Sequence, residues 1–318
     1  MKQKILKHIR NSDSYISGED LSRIFDISRA GIWKHIQELR RDGYEIDAVP
    51  HLGYRLKNAP DKLLPDEIKF GLDTKIIGKD IYHYEIANST MDIAFNLALD
   101  SSPEGTVVCA ESQHKGRGRL GRSWLSPKSK GVYLSIILRP SFIPSETPKL
   151  TLLAAVAVAE AIREVSGLTP QIKWPNDLLL NEKKVGGILT ELNAEMDRTK
   201  FVILGIGINV NTKKSSLPAG AISLKEEKKE SVSRVELTKA ILRNIDMLYS
   251  LFQKEGFSPI IEKWRDLSST LGKRVKVSSQ NKQIEGEALD IDKDGGLLIR
   301  KDSGFIEKIY AGDLTRLR

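Results

Sequence analysis

The 318-residue sequence predicts a multidomain α+β protein, and three observations predict it. Residues 1–58 join capped helical patterns to a hairpin pattern, residues 66–268 mix Val/Ile/Leu/Tyr-rich strand runs with long apolar helices, and residues 270–318 return to short strands between Gly turns. In the middle region two strand runs are separated only by Asn181-Glu182-Lys183. That is a tight hairpin, so the central sheet is at least partly antiparallel and the region is α+β rather than doubly wound.

Ser17-Gly18-Glu19-Asp20 opens a helix like a capping box, with Asp20 where Glu is commoner, and Leu21, Ile24 and Phe25 follow at helical spacing. After a short turn Ser28 caps a second helix, in which Ile32, Ile36 and Leu39 share one face and Asp42-Gly43 marks the end. Tyr44–Val49 and Gly53–Leu56 read as two strands joined by Pro50-His51-Leu52. Helix, helix, turn, helix and hairpin in this order form a winged helix-turn-helix. Its second helix enters the major groove by its N-terminal part, which makes Ser28, Arg29, Ala30, Lys34 and Gln37 the candidate DNA contacts. The alternative is a winged helix that serves as a protein-interaction module. One such unit reads a half-site, so a specific operator complex needs a dimer or a partner.

Asn58-Ala59-Pro60-Asp61 reads as a linker. Beyond it strands are expected at 81–86, 105–111, 132–138, 171–174, 177–181, 185–192 and 201–208, and helices at 90–100, 149–166, 234–254 and 258–267. The apolar run from Leu150 to Val165 suits a helix buried on the sheet. Lys225–Glu230, a mixed charge run, reads as a solvated loop. Residues 274–277, 284–289, 296–299 and 307–310 carry strand patterns, with turns at Asp294-Gly295-Gly296 and Asp302-Ser303-Gly304, and read as a small β-barrel.

A net charge of +8 makes an anionic partner plausible but argues weakly alone. The single cysteine, Cys109, lies in an apolar strand run, where it packs rather than reacts and suits a reducing compartment. The start of the chain has no apolar signal core and no segment reaches the length of a membrane span, so the cytoplasm is the expected location.

Gln113–Trp124 interleaves three glycines with three arginines: Gly116, Arg117, Gly118, Arg119, Gly121 and Arg122. Glycine lets the backbone approach a ligand closely, and each guanidinium offers a fork of donors for carboxylate or phosphate. The spacing is not that of a Walker A loop, which excludes an ordinary nucleoside triphosphatase. Lys173-Trp174-Pro175-Asn176-Asp177 and Lys183-Lys184-Val185-Gly186-Gly187 follow one hairpin apart. Polar groups interrupting buried strands are costly without partners, so this cluster asks for a ligand. Gly205-Ile206-Gly207-Ile208-Asn209 matches part of a dinucleotide fingerprint but lacks the third glycine and the following helix.

The segments Gly116–Trp124, Lys173–Asp177, Lys184–Leu189 and Gly205–Asn211 resemble the signature blocks of biotin protein ligases, and Ser28–Ile36 resembles the recognition helix of the bifunctional members that repress biotin operons. The resemblance spans essentially the whole chain. It implies a winged helix at 1–58, a mixed-sheet α/β ligase domain at 66–268 and an SH3-like β-barrel at 270–318. It also implies a two-step reaction in which biotin and MgATP give biotinyl-5′-AMP, and a lysine of a biotin carboxyl carrier domain then takes the biotinyl group.

By that resemblance Lys184 and Arg119 meet the carboxylate and the phosphate. Ser89, Thr90, Met91, Gln113, Gly116, Arg117, Gly118 and Gly187 complete the biotin pocket, with Arg119 and Lys184. Arg122, Trp124, Asn176, Asp177, Asn209 and Asn211 line the nucleotide side, with Asp177 the expected Mg²⁺ contact. The 113–124 loop is expected to close over the adenylate. Partners implied are carrier domains of acetyl-CoA carboxylase and pyruvate carboxylase, operator DNA, and a second copy of the chain in a homodimer favoured by biotinyl-5′-AMP as corepressor. In the stretch 212–223, where some relatives carry an aromatic for the adenine, this sequence has none, and Leu217 or Ile222 is the expected apolar substitute. The alternatives are a ligase whose winged helix does not repress, a ligand-sensing transcription factor without catalysis, and a ligase for lipoate or another acyl group.

Overall fold

The computed structural model describes residues 1–196, 198–279 and 282–317, in two compact units, 1–62 and 63–318. In the first unit α1 (Lys2–Arg10), α2 (Gly18–Phe25) and α3 (Arg29–Asp42) precede a hairpin of β1 (Glu45–Val49) and β2 (Gly53–Asn58). Sequence sets both helix starts: Ser17 accepts from the Asp20 amide and Ser28 from that of Gly31. Gly43 ends α3 in the left-handed region at φ 104°, where a side chain would be strained. Ile5, Ile9, Leu21, Ile32, Ile36 and Leu39 form the small core. Ile24, expected on the apolar face of α2, is instead 51% exposed. The helix has only 8 residues, about two turns, and it buries one of them, Leu21.

The second unit begins with α4 (Pro65–Lys69), β3 (Ile81–Tyr84), α5 (Thr90–Leu99), β4 (Val107–Ala110), β5 (Gly131–Leu138) and α6 (Thr147–Ser166). It continues through β6 (Gln171–Lys173), β7 (Asp177–Leu180), β8 (Lys183–Glu195), β9 (Arg198–Asn209), α7 (Leu224–Lys228), α8 (Arg234–Glu255) and α9 (Ser258–Leu267). The strands form a seven-stranded sheet in the order β3-β4-β5-β9-β8-β7-β6, parallel only between β3 and β4. The mixed α+β sheet is thus present. Alternation divides its side chains: Val107, Cys109 and Ile136 join the core under α6, α8 and α9, whereas Val108, Ile137 and Ile203 face α5. The β7–β8 hairpin turns through Asn181 and Glu182, both at positive φ, as a two-residue hairpin of this hand requires.

The last strands are β10 (Arg274–Ser279), β11 (Lys282–Ile291), β12 (Leu297–Arg300), β13 (Ile306–Ile309) and β14 (Asp313–Arg316). They pair antiparallel in the order β13-β12-β11-β10-β14, a sheet curled as an SH3-like barrel around Val275, Val277, Ala288, Leu297 and Ile299. Besides the short helix α4, which no sequence pattern announced, two features differ from the sequence expectation. β14 had no counterpart in it, and Lys225–Glu230 is no solvated loop over most of its length: Ser223 caps α7 and residues 225–228 are half-buried. The cap and buried Leu224 hold a charge run as helix. Among the described residues no helix is long and apolar enough to cross a membrane.

Candidate active site

A cavity of about 430 Å³ opens between α5, the 113–124 loop, the β6–β9 end of the sheet and β14. Two glycines of β9 prepare its floor. A Cβ on Gly205 would strike Met91 Sδ, and one on Gly207 would come within 2.6 Å of the Trp124 indole nitrogen. The Gly-Ile-Gly-Ile run therefore gives a flat strand surface on which Met91 and Trp124 rest, rather than a phosphate loop.

A β-bulge aims the central lysine. Leu178 faces Gly186 while Leu179 faces Lys184, so Val185 is the extra residue of β8. The parity shift brings Lys184 to the side of Gly187, whose added Cβ would lie 3.5 Å from Lys184 Nζ. Lys184 Nζ pairs with Asp177 Oδ1 at 2.6 Å and sits 5.5 Å from the centre of the Trp124 ring. Its backbone amide donates to Gly220 O, which fixes the strand against the 212–223 segment. That segment meets the cavity through Pro218 and Ala221 rather than through Leu217 or Ile222. Ile222 is 9% exposed because its amide is bonded to Lys184 O and its side chain packs into the core.

The glycine-arginine loop is laced to itself: Trp124 N donates to Gly116 O at 2.8 Å and Gly118 N to Arg122 O at 2.7 Å. Its three arginines go three ways. Arg117 bridges Asp92 (2.9 Å) and Glu191 (2.8 Å). Arg119 donates to Asn176 Oδ1 (3.1 Å) and Gly312 O (3.3 Å), and Arg122 forks onto the Asp313 carboxylate. Burial lowers the pKa of Arg119 against the opposing pull of Asp313 and Asp177, and burial likewise lowers that of Lys173, with Arg316 and Lys184 adding repulsion. Lys173, Lys184, Arg119 and Arg122 thus crowd around Asp177 and Asp313. Such an excess of positive charge, half-buried except at exposed Arg122, suits a polyanion.

At the other end Thr90 donates from both its amide (2.8 Å) and its hydroxyl (3.2 Å) to Gln113 Oε1, and Gln113 Nε2 donates to Ser126 Oγ at 3.0 Å. Beside them the Ser89 hydroxyl, buried and lining the cavity, has no protein partner among the described residues, and neither has the Trp124 indole N–H. Buried polar atoms without partners are rare, and two along one cavity point to a polar ligand.

Most of the residues singled out in the sequence line this cavity, including Ser89, Thr90, Met91, Gln113, Arg117, Gly118, Arg119, Arg122, Trp124, Asn176, Asp177, Lys184, Gly187 and Asn209. Gly116 and Asn211 do not. Gly116 is packed against the Trp124 and Ser126 side of its own loop, and Asn211 spends its amide on Val232, donating to its carbonyl (2.8 Å) and accepting from its N–H (3.0 Å). Lys173 and the β14 residues Asp313 and Thr315 line the cavity without having been singled out as site residues.

In the first unit Ser28 is occupied as the cap of α3, Arg29, Ala30 and Lys34 are exposed, and Gln37 is half-buried.

Comparison with known proteins places the chain in a family. Residues 83–209 match the biotin/lipoate A/B protein ligase family, residues 2–55 an HTH domain, and residues 270–314 the biotin protein ligase C-terminal domain. The bifunctional ligase/repressor BirA of Bacillus subtilis (strain 168) is 42% identical over 306 residues, which cover 95% of this chain and 94% of that one. The chain belongs to the bifunctional ligase/repressor family. The ligase is also 31% identical to BirA of Escherichia coli K12, over 98% of this chain and 96% of that one. Among solved structures, the biotin protein ligase from Aquifex aeolicus in complex with biotin and ATP superposes with a TM-score of 0.66 at 31% identity, covering 75% of this chain and 100% of that one. Membership makes the ligase an enzyme and a DNA-binding repressor in one chain.

Proposed function

We propose that the cavity joins biotin to AMP and holds the product for two uses, transfer to a carrier lysine and repression. The observation that carries this reading is the Lys184–Asp177 pair under Trp124, with cations crowded at one end of the cavity and the unpartnered Ser89 hydroxyl at the other. A ureido ring offers both donors and acceptors, which suits Ser89 and the remaining Gln113 Nε2 proton beside an apolar wall of Met91 and Leu189.

In the first step a biotin carboxylate oxygen forms a bond to the α-phosphorus of ATP while the bond to the β-phosphate oxygen breaks, releasing pyrophosphate. Two anions must meet, and Lys184 and Arg119 supply fixed positive charge where it accumulates. Asn176 keeps Arg119 aimed through its 3.1 Å hydrogen bond, and Asn209 holds the 212–223 wall by donating to Ile222 O at 3.2 Å. The cavity lining carries two carboxylates, Asp177 and Asp313, and hard oxygen donors of this kind fit Mg²⁺ brought with the nucleotide, with Asp177 as its expected contact. Bound there, the ion would neutralise phosphate charge. In the second step the amine of a carrier lysine attacks the acyl carbon, AMP leaves, and the amine gives up a proton.

The same adenylate orders the 113–124 loop, favours a homodimer and so pairs two winged helices on operator DNA. Carrier domain and second subunit compete for one surface, in the cytoplasm where ATP and carboxylases meet. The domain limits that go with this division of labour are 1–58, 66–268 and 270–318. Incubation with labelled biotin, ATP and a biotin carboxyl carrier domain tests the enzyme. Stable label on the carrier lysine is expected, and label from lipoate but not biotin would overturn the assignment. Sedimentation with and without biotin and ATP tests the coupling, which a monomer under every condition removes.

A further inference from the structure

We propose that Trp33 reads thymine in the operator, with its indole packed on 5-methyl groups in the major groove. The helix α3 buries Ile32, Ile36 and Leu39, which leaves a face on which Trp33 stands one turn from both Ala30 and Gln37 and next to Lys34. Trp33 is 58% exposed, whereas Trp174 and Trp264 are buried. Among the described residues nothing stacks on its ring or hydrogen-bonds its N–H. The core of this unit therefore has no use for the indole.

The surroundings commit the face to DNA. Arg29, Lys34 and Arg41 are exposed on α3, a charge complement to phosphate, and the unit matches an HTH domain over residues 2–55. Phosphate contacts fix position without carrying sequence, so discrimination falls to groups that meet base edges. Position five of the recognition helix lies in the half that enters the groove. The distinctive apolar feature there is the thymine methyl, and Ala30 with Trp33 makes an apolar patch of matching chemistry. The wing does not duplicate it in charge: its tip, Pro50-His51-Leu52, has no lysine or arginine.

This inference rests on the repressor reading, and one experiment separates the two. Full-length protein with biotin and ATP is used to enrich randomised duplexes, in parallel for the parent, Trp33→Phe and Trp33→Gln. Parent and Trp33→Phe are expected to fix a thymine at one position of each half-site, and Trp33→Gln to lose that preference, while all three transfer biotin to a carrier domain equally. Replacing the thymine by uracil, which removes only the methyl, should weaken the parent roughly tenfold and Trp33→Gln by less than about twofold. If Trp33→Gln binds no duplex, Trp33→Ala is compared with the parent on thymine and uracil duplexes at low salt, where a smaller uracil penalty for the variant supports the inference and an equal penalty overturns it. The same thymine retained by Trp33→Gln, or a parent indifferent to uracil, overturns the inference. A parent that enriches no motif overturns the repressor reading and this inference with it.

Discussion

Both units of this ligase gather cations for a polyanion, but they do it in opposite dielectric settings. On α3 Arg29 and Lys34 stand in solvent, whereas in the cavity Arg119 and Lys173 are half-buried and Lys184 is held on Asp177. Exposed charges attract through released counterions and are screened by salt; desolvated, fixed charges act at short range and set geometry. The first arrangement suits a reversible grip on DNA and the second suits chemistry on a phosphate.

The strongest way to break that comparison is Lys184→Ala. Removing a positioned cation from the cavity should cut adenylate formation about 10³-fold, read as biotin-dependent ATP–pyrophosphate exchange. A loss of less than about tenfold would mean that the pair with Asp177 is structural.

A second test addresses buried charge itself. Glu111, fully buried, accepts from Leu63 N (2.9 Å), Ser129 Oγ (2.9 Å) and Arg234 NH1 (2.8 Å), with His83 Nε2 at 3.4 Å. Burial alone would raise its pKa, but His83, Arg234 and the Leu63 amide together bring it down to about 2. A carboxylate depressed in the folded state contributes stability that is present above its ordinary pKa of 4.5 and lost as pH falls toward 2. Residues 1–62 bury no carboxylate: their depressed ones, Asp20 beside Ser17 and Glu38 beside His35, stand in solvent, where such contacts contribute little. Glu111→Gln should therefore cost about 3 kcal/mol at pH 7 and flatten the acid dependence of the larger unit alone. Urea unfolding from pH 7 to pH 3, followed through Trp174 and Trp264 for one unit and Trp33 for the other in single-tryptophan variants, measures it. Equal acid sensitivity of both units would refute the assignment.

Salt gives a somewhat smaller contrast. If Arg29 and Lys34 of two copies neutralise about four phosphates, DNA affinity should fall about a hundredfold between 50 and 200 mM salt, while adenylate formation changes less than about twofold. Parallel titrations in one buffer series decide it, and equal slopes would erase the distinction between the two settings.

What could be read from the sequence follows the same division. Caps and periodicity are local, so Ser28 through Gly43 marked α3 correctly, and the buried run under the sheet announced α6. The signature blocks named most of the cavity residues because each block is a short continuous stretch, even where, as at Lys173–Asp177, it runs from β6 into β7. Tertiary placement was not legible. Nothing local reveals that Asn211 turns to Val232, that Val185 bulges so that Lys184 faces Trp124, or that Pro218 and Ala221 form the wall expected of Leu217 or Ile222. The strand β14 escaped because four residues with one fully buried side chain, Leu314, give no period to detect. It is nevertheless the strand that closes the site.

That strand supplies the smallest effect and the finest test. Asp313 receives the fork of Arg122, and the neighbouring Gly312 carbonyl accepts from Arg119, so the glycine-arginine loop is fastened at its centre to the barrel. The pair is solvent-exposed on the Arg122 side, which limits its worth to about 1 kcal/mol. Asp313→Asn keeps the shape and one acceptor but removes the charge, so the loop should open more often and biotinyl-5′-AMP should escape about five- to tenfold faster. Chase dissociation of preformed adenylate measures the rate directly. Arg122→Gln should give the same increase, and the double variant no more than either alone, because both remove one interaction. Additive effects would mean that each side chain holds the adenylate separately. The fastening between loop and barrel would then carry nothing, and the cavity's grip would reside wholly in the half-buried cations.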